Sequence, residues 1–345
     1  ILILYFFIFI NPPKFVNKLL NRKPAFTVEA AAPAYTGEAR LFSDDGTLIY
    51  EGNLKDGKYE GEGKLYYEDG TLMYEGGLSD GKYEGKGKLY LPDGTLIEEG
   101  TFAGGMLVSG SKYREDGTLL YTGEFVNGQY EGKGWLYASD GRLVEEGRFA
   151  GGKLVQGNQY DENGVLRYSG SLVNGLYDGE GILYDASGAM VYQGGFKAGK
   201  FDGQGRSFAP DGQLIYEGGF SNGLYSGEGT LYQNGVLVYK GQFLSGKYHG
   251  AGTIWYPNGM IRYEGTFANG LLSGFATEYD PSGRIKYKGE FVSGIYHGTG
   301  TLYNEQGIAV YTGSFMNGNY HGEGELYDEN GLLEYKGRFI NGEPN

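Results

Sequence analysis

The chain has no cysteine, only three histidines and only five methionines. Without cysteine there can be no disulfide, no thiolate nucleophile and no thiolate metal site. That usage is compatible with a reducing compartment. Positive charge is also short: 29 Lys and Arg stand against 43 Asp and Glu, a net charge of −14. Residues 1–34 hold Lys14, Lys18, Arg22 and Lys23 against Glu29 alone, a balance of +3 that leaves −17 on the remainder. A surface so acidic repels nucleic-acid phosphates and anionic headgroups, so no nucleic-acid partner is expected.

What the chain has in excess is glycine, 66 residues, and tyrosine, 33. Glycine at that level, without a collagen triplet, means disorder or very frequent turns. With 16% aromatics there is enough apolar surface to bury, which excludes disorder. Frequent turns remain.

The first ten residues, Ile1, Leu2, Ile3, Leu4, Tyr5, Phe6, Phe7, Ile8, Phe9 and Ile10, are apolar and uncharged. As a helix they cover about 15 Å, half a bilayer core, so 1–10 reads as the end of a transmembrane helix. Residues 11–34 follow as a basic juxtamembrane segment and linker. Phe15, Val16, Leu19 and Leu20 share one helical face, and Lys14, Lys18, Arg22 and Lys23 surround it. That pattern suits a helix lying in the interface with its cations on headgroups. The positive-inside rule then puts the rest of the chain on the cytoplasmic side of a membrane. Residues 27–34, rich in alanine, read as linker.

Residues 35–345 are a repeat array. Units start at Tyr50, Tyr74, Glu98, Tyr121, Glu145, Tyr168, Tyr192, Tyr216, Tyr239, Tyr263, Tyr287, Tyr311 and Tyr335, spaced 24 residues apart and 23 in three cases. That makes twelve full units, a truncated last one, and a half unit over 35–49. Two residues after each start stands a glycine, as at Gly52, Gly76, Gly123 and Gly218; seven after it stands another, as at Gly57, Gly81, Gly128 and Gly223. The second usually follows Asp, Asn or Ser, the strongest local hairpin signal. Pairs such as Asp69-Gly70 and Asn258-Gly259 close each unit, so each unit holds two strands and the array is an antiparallel meander.

Tyr50, Gly52 and Leu54 share parity and point to one face, as do Gly61, Gly63 and Leu65. Tyrosine rings are expected to lie over the glycines of the neighbouring strand. Glu62 and Lys64 belong to the opposite, polar face. The expectation is an all-β, elongated, twisted, single-layer sheet of stacked hairpins, with the aromatic face forming a groove that packs mostly on itself, peptide or lipid contact being the alternative.

Residues 216–232, Tyr-Glu-Gly-Gly-Phe-Ser-Asn-Gly-Leu-Tyr-Ser-Gly-Glu-Gly-Thr-Leu-Tyr, resemble the membrane occupation and recognition nexus (MORN) repeat. The resemblance covers about nine-tenths of the chain. It implies an elongated groove of β-hairpins and roles in scaffolding, membrane-contact organisation or partner recruitment. The added Asp-Gly-Thr-Leu pairs resemble variant repeats of bacterial proteins. The units at Glu98 and Glu145 lack the inner Tyr-x-Gly, reading Met106-Leu-Val-Ser-Gly110 and Lys153-Leu-Val-Gln-Gly157, so local irregularity is expected there.

Candidate chemistry is thin. The Gly-x-Gly pairs lie in strand patterns with no basic residue at phosphate-loop spacing. A single Asp per turn cannot supply a calcium site. His249, His297 and His321 occupy one repeat position, a full unit or more apart, too far to share a metal. Glu60, Glu84, Glu131, Asp178 and Asp202 hold that position in earlier units; the column reads as drift between copies or as a graded partner surface.

Apolar exceptions point better at partners. Trp135 and Ile182 stand in the column of Lys64, Lys88, Arg206 and Thr230; Leu176, Leu224, Leu271 and Ile295 replace lysines beside the first turn. We expect a membrane-anchored scaffold without catalytic residues, metal or cofactor, binding a protein partner as an accessory subunit of a membrane complex. Pairing of exposed sheet edges leaves homo-oligomers conceivable. The alternatives are a lipid-contacting array and an extracytoplasmic carbohydrate or cell-wall binder.

Overall fold

A computed structural model describes residues 25–27 and 35–345, and every regular element among them is a β-strand. The expected transmembrane run 1–10 and the headgroup residues Lys14, Lys18, Arg22 and Lys23 lie outside the described residues. No helix among the described residues is long and apolar enough to cross a membrane. Within 11–34 the described piece is Ala25–Thr27, a short strand paired in parallel with Gly37–Phe42.

The chain divides into two compact units, Ile1–Leu166 and Arg167–Asn345. In the first, consecutive strands from Gly37–Phe42 to Lys153–Tyr160 pair antiparallel, each with the next. In the second the same meander runs from Leu166–Val173 to Glu343–Pro344. Each unit is an open sheet.

The two turns of a repeat differ in kind. The first is a two-residue turn with both residues left-handed, such as Asp56 (φ 48°) and Gly57 (φ 76°). That geometry matches strand twist and favours Asn, Asp and Gly. The second spans three residues. The Gly70 amide donates to the Tyr67 carbonyl at 2.9 Å, and the Thr71 amide donates to the Asp69 carboxylate at 2.8 Å. Only Gly70 is left-handed there, at φ 84°. The preceding Asp, Asn or Ser serves its side chain and not its backbone freedom.

Each full-length hairpin carries a bulge. Gly52 pairs with Gly63 but Asn53 pairs with Glu60, leaving Gly61 and Glu62 extra on the second strand. The bulge explains the tyrosine. Tyr50 lies flat over the glycine pair and donates its hydroxyl to the Asn53 carbonyl at 2.6 Å; Tyr74, Tyr192 and Tyr216 do the same three residues on. A carbonyl displaced by the bulge thus keeps a partner.

A second ring stacks on the first. Tyr59 packs on Tyr50 with centroids 4.1 Å apart, and Phe201 on Tyr192 at 3.8 Å. The phenylalanine of the next repeat meets both rings edge-on, as Phe220 meets Tyr192 at 5.1 Å and Phe201 at 5.8 Å. The core of each unit is this ring ladder.

Two of the three 23-residue units, at Glu98 and Glu145, carry the expected irregularity. There the strands Met106–Tyr113 and Lys153–Tyr160 have eight residues, and a single extra residue forms the bulge. The third, at Tyr216, shortens its second turn instead: Asn234 and Gly235 are both left-handed.

Candidate functional site

Burial decides which face is free. The column tyrosines Tyr50, Tyr74, Tyr121, Tyr168, Tyr192, Tyr216, Tyr239, Tyr287 and Tyr311 are 0% exposed. They are pressed onto glycine: a Cβ at Gly63 would come within 2.8 Å of the Tyr50 ring. Burial pushes the phenols of Tyr74, Tyr121, Tyr168, Tyr192 and Tyr239 up to about 12. The aromatic face is therefore spent mainly on its own packing. The troughs lie on the opposite face.

In the first unit a trough of about 780 Å³ has a floor of glycine backbone, including Gly52, Gly63 and Gly76. Lys64, Glu75, Lys88 and Glu99 line it. Cross-strand pairing puts these residues in one row with Arg40 and Glu51. Ion pairs at 3.2 Å (Arg40–Glu51), 3.4 Å (Lys64–Glu75) and 3.1 Å (Lys88–Glu99) join neighbours along it. In the second unit a trough of about 480 Å³ is lined by Phe275, Lys288, Thr299, Thr301, Thr312 and Ser314. Phe275 is 55% exposed on this otherwise polar surface. Nothing in the repeat pattern flagged it; the signal was an aromatic residue where other units have Glu62, Lys86 or Gln204.

Two sequence-predicted contacts occupy the repeat position of Lys64 and Lys88, one in each unit. Trp135, in the first unit, pairs with Thr122 and Glu146 and donates its indole N–H to Glu146 at 3.1 Å. Ile182, in the second unit, pairs with Ser169 and Gln193. Both are half-buried rather than fully exposed.

Leu176, Leu224, Leu271 and Ile295 stand at the turn edge of the second unit, 50–52% exposed. The structure adds the partners across each turn: Val173 faces Leu176, and Val292 faces Ile295. Val173, Leu244 and Val292 are equally exposed. Two-residue hairpin geometry was the sign that could have found them. The turn edge is knit by backbone bonds between repeats, with the Gly81 amide donating to the Tyr59 carbonyl at 3.0 Å and Gly223 to Phe201 at 2.8 Å.

The acidic-to-histidine column has an internal task. The carboxylates of Glu60, Glu84, Glu131 and Asp178 accept the amides of Asp80, Gly104, Gly151 and Ala198 in the following turn, at 3.0–3.2 Å. Where histidine replaces them, Nδ1 of His249 and of His321 is buried without a partner.

The repeat glycines serve the backbone in two ways. Gly57, Gly81, Gly128 and Gly223 are left-handed in the first turns, and Gly52, Gly76, Gly123 and Gly218 sit against the opposing glycine with no room for a Cβ. No group of three His, Asp or Glu able to hold a metal occurs among the described residues.

A family model for the MORN repeat matches ten segments: residues 50–72, 74–96, 121–141, 168–190, 192–213, 216–236, 239–261, 263–283, 287–307 and 311–332. It passes over the units at Glu98 and Glu145, the two with the single-residue bulge. No curated protein matches the chain. A crystal structure of TcdB2-TccC3-Cdc42 aligns with 86% of this chain and 15% of its own, at 12% identity and a TM-score of 0.19. One of TcdB2-TccC3-TEV aligns with 86% and 20%, at 12% identity and 0.18. The chain thus spans a fifth or less of those structures, and alignments at such scores bear on neither fold nor function.

Proposed function

The chain belongs to the MORN repeat family, and on that premise we propose that it is a non-enzymatic scaffold holding a protein partner on the polar troughs and apolar turn edge of its sheets. One observation carries the reading: nine of the eleven column tyrosines are wholly buried in the ring ladder. The polar row and the turn edge lie outside that ladder, and the sequence varies there from unit to unit. Exposed apolar residues next to hydrogen-bonding side chains are the composition of protein interfaces.

The proposal extends to residues 1–34 as a membrane anchor, with the array on the cytoplasmic side and the whole an accessory subunit of a membrane complex. This part rests on the apolar run and the basic segment that follows it. The variant turns with Asp-Gly-Thr-Leu support kinship with bacterial members of the family.

Photo-crosslinkers at Lys88 in the trough, Leu224 on the turn edge and Tyr59 on the aromatic face test the scaffold. A saturable protein adduct at Lys88 or Leu224, competed by the unlabelled array and absent at Tyr59, is expected. No competable adduct at either position refutes it. Membrane fractionation with and without residues 1–34 tests the anchor, which is refuted if the shortened chain still sediments with membranes.

A further inference from the structure

In the row of cross-strand pairs beside the charge ladder, Lys133 and Arg148 stand directly opposite each other. The corresponding pairs are Lys86 with Thr101, Glu180 with Gly195, Glu228 with Gln242 and Glu323 with Arg338. None of those opposes two cations. Like charges in that position destabilise a sheet, and both side chains are exposed. Neither forms an ion pair among the described residues. In the adjoining charge ladder, opposite Trp135, Glu146 is already committed: it accepts from the Tyr160 hydroxyl at 2.7 Å, the Asn158 amide at 2.9 Å and the Trp135 indole at 3.1 Å. Lys133 stands over the Trp135 ring, its Nζ 5.1 Å from the centroid, and its charge also helps hold the Glu146 carboxyl below its ordinary value.

Lys133 and Trp135 lie two residues apart on the strand Gln129–Tyr137 and share a face. Their separation is about 7 Å, the same as that of alternate side chains on any extended polypeptide. Glu146 holds the indole N–H, and the half-buried ring has the Lys133 ammonium over it. We propose that Lys133, Arg148 and Trp135 form a recognition point for an extended partner segment carrying a carboxylate and, two residues away, an aromatic or large apolar side chain. The cations hold the carboxylate and the indole takes the ring. The proposal rests on the scaffold reading and names the partner's chemistry. The chain's net charge of −14 sharpens it, because an acidic segment is repelled elsewhere and is drawn to this pair.

The test uses the full chain with Trp255→Phe, so that Trp135 is the sole indole reporter. The probes are acetyl-Asp-Ser-Phe-amide, its Asn-Ser-Phe counterpart, the adjacent-spacing peptide Asp-Phe-Ser, inorganic phosphate, and phosphatidylserine vesicles. The Asp-Ser-Phe peptide is expected to shift Trp135 fluorescence saturably, with the other two peptides about tenfold weaker. Arg148→Gln should weaken binding about tenfold, the loss of one charge-assisted hydrogen bond. Arg148→Lys should retain most of it. The melting temperature of free Arg148→Gln should be unchanged or higher, because a repulsion is removed; a lower one would mean that Arg148 is structural and would overturn the proposal. So would tighter binding of phosphate or vesicles than of the peptide, or an affinity indifferent to Arg148→Gln. A partner adduct at Lys88 that survives Arg148→Gln unchanged would sink this site and leave the scaffold reading standing.

Discussion

Adding one methyl group at Gly229 should cost more than most core truncations of similar size. Gly229 faces Gly218 across the hairpin, and the Tyr216 ring lies on it. A Cβ there would meet Cζ of that ring at 2.5 Å and Cε2 at 2.6 Å, well inside contact distance. The ring must lift. Lifting breaks the 3.0 Å bond from its hydroxyl to the Gly219 carbonyl, worth about 1 kcal/mol net. It also disturbs the 3.8 Å stack with Tyr225 and the edge contacts with Phe220 and Phe243. Overpacking of this kind costs about 1–3 kcal/mol, so Gly229→Ala should lose about 2–4 kcal/mol in all. The chain contains its own control. At Ala276 the glycine is already replaced; the opposing column residue Tyr263 is only half-buried, and Leu272 stands where its stacking ring would be. Because an array need not unfold in two states, the assay is native-state hydrogen exchange on Leu214–Ser221 and Leu224–Gln233. Protection there should fall by at least thirtyfold, with strands several repeats away unaffected. A loss below about 0.5 kcal/mol, within the range of an ordinary surface change, would refute the idea that tyrosine on glycine holds the sheet.

Three further outcomes are expected. The buried phenols, raised to about 12 from the ordinary value near 10, favour the protonated folded state; their stabilisation is complete below pH 10 and is lost as pH rises through 12, so phenolate absorbance and loss of sheet signal should appear together. Phenolate formation in an intact sheet near pH 10 at those residues would contradict the burial. His249→Asp should supply the acceptor that Asp178 provides to the following turn and raise stability by about 1 kcal/mol in urea unfolding; no gain would mean that the amide of Asn269 needs no cap. Glu278 is buried at 7%, bonded to the Tyr296 hydroxyl at 2.6 Å and to Lys286 at 3.0 Å, where most units have leucine; Glu278→Leu should be neutral or stabilising, while Tyr296→Phe alone should destabilise by roughly 1–2 kcal/mol.

The turns, the two faces and the tyrosine–glycine cover were legible because each depends on residues close in sequence. Asp56-Gly57 declares its turn locally, and the shared parity of Tyr50, Gly52 and Leu54 declares a face. Pairing across twenty residues was not legible. Nothing near Glu60 says that it caps the amide of Asp80, so its column looked like surface. The location of the troughs also escaped, since it depends on the tyrosine ring lying flat. A ring standing upright would have left a groove on the aromatic side; the hydroxyl bond to the displaced carbonyl holds it down, and the bulge that displaces the carbonyl shows only in the register.

The irregular units show that this bond and bulge form one device. Where the column tyrosine becomes Glu98 or Glu145, the stacking ring becomes Leu107 or Leu154, and the bulge shrinks by one residue. With the ring gone there is no hydroxyl to serve a carbonyl displaced by two residues, so the shorter bulge is the one the backbone can satisfy. The leucine column changes with it. Lys112 pairs with Glu98 at 3.3 Å, and Gln159 donates to Glu145 at 2.9 Å, restoring a cross-strand partner for each carboxylate. Column tyrosine and two-residue bulge therefore vary together, while the stacking ring can be lost separately, as Leu272 shows in the unit at Tyr263; a single Glu98→Tyr exchange should fail to rebuild the ladder unless Lys112 and the missing bulge residue are restored with it.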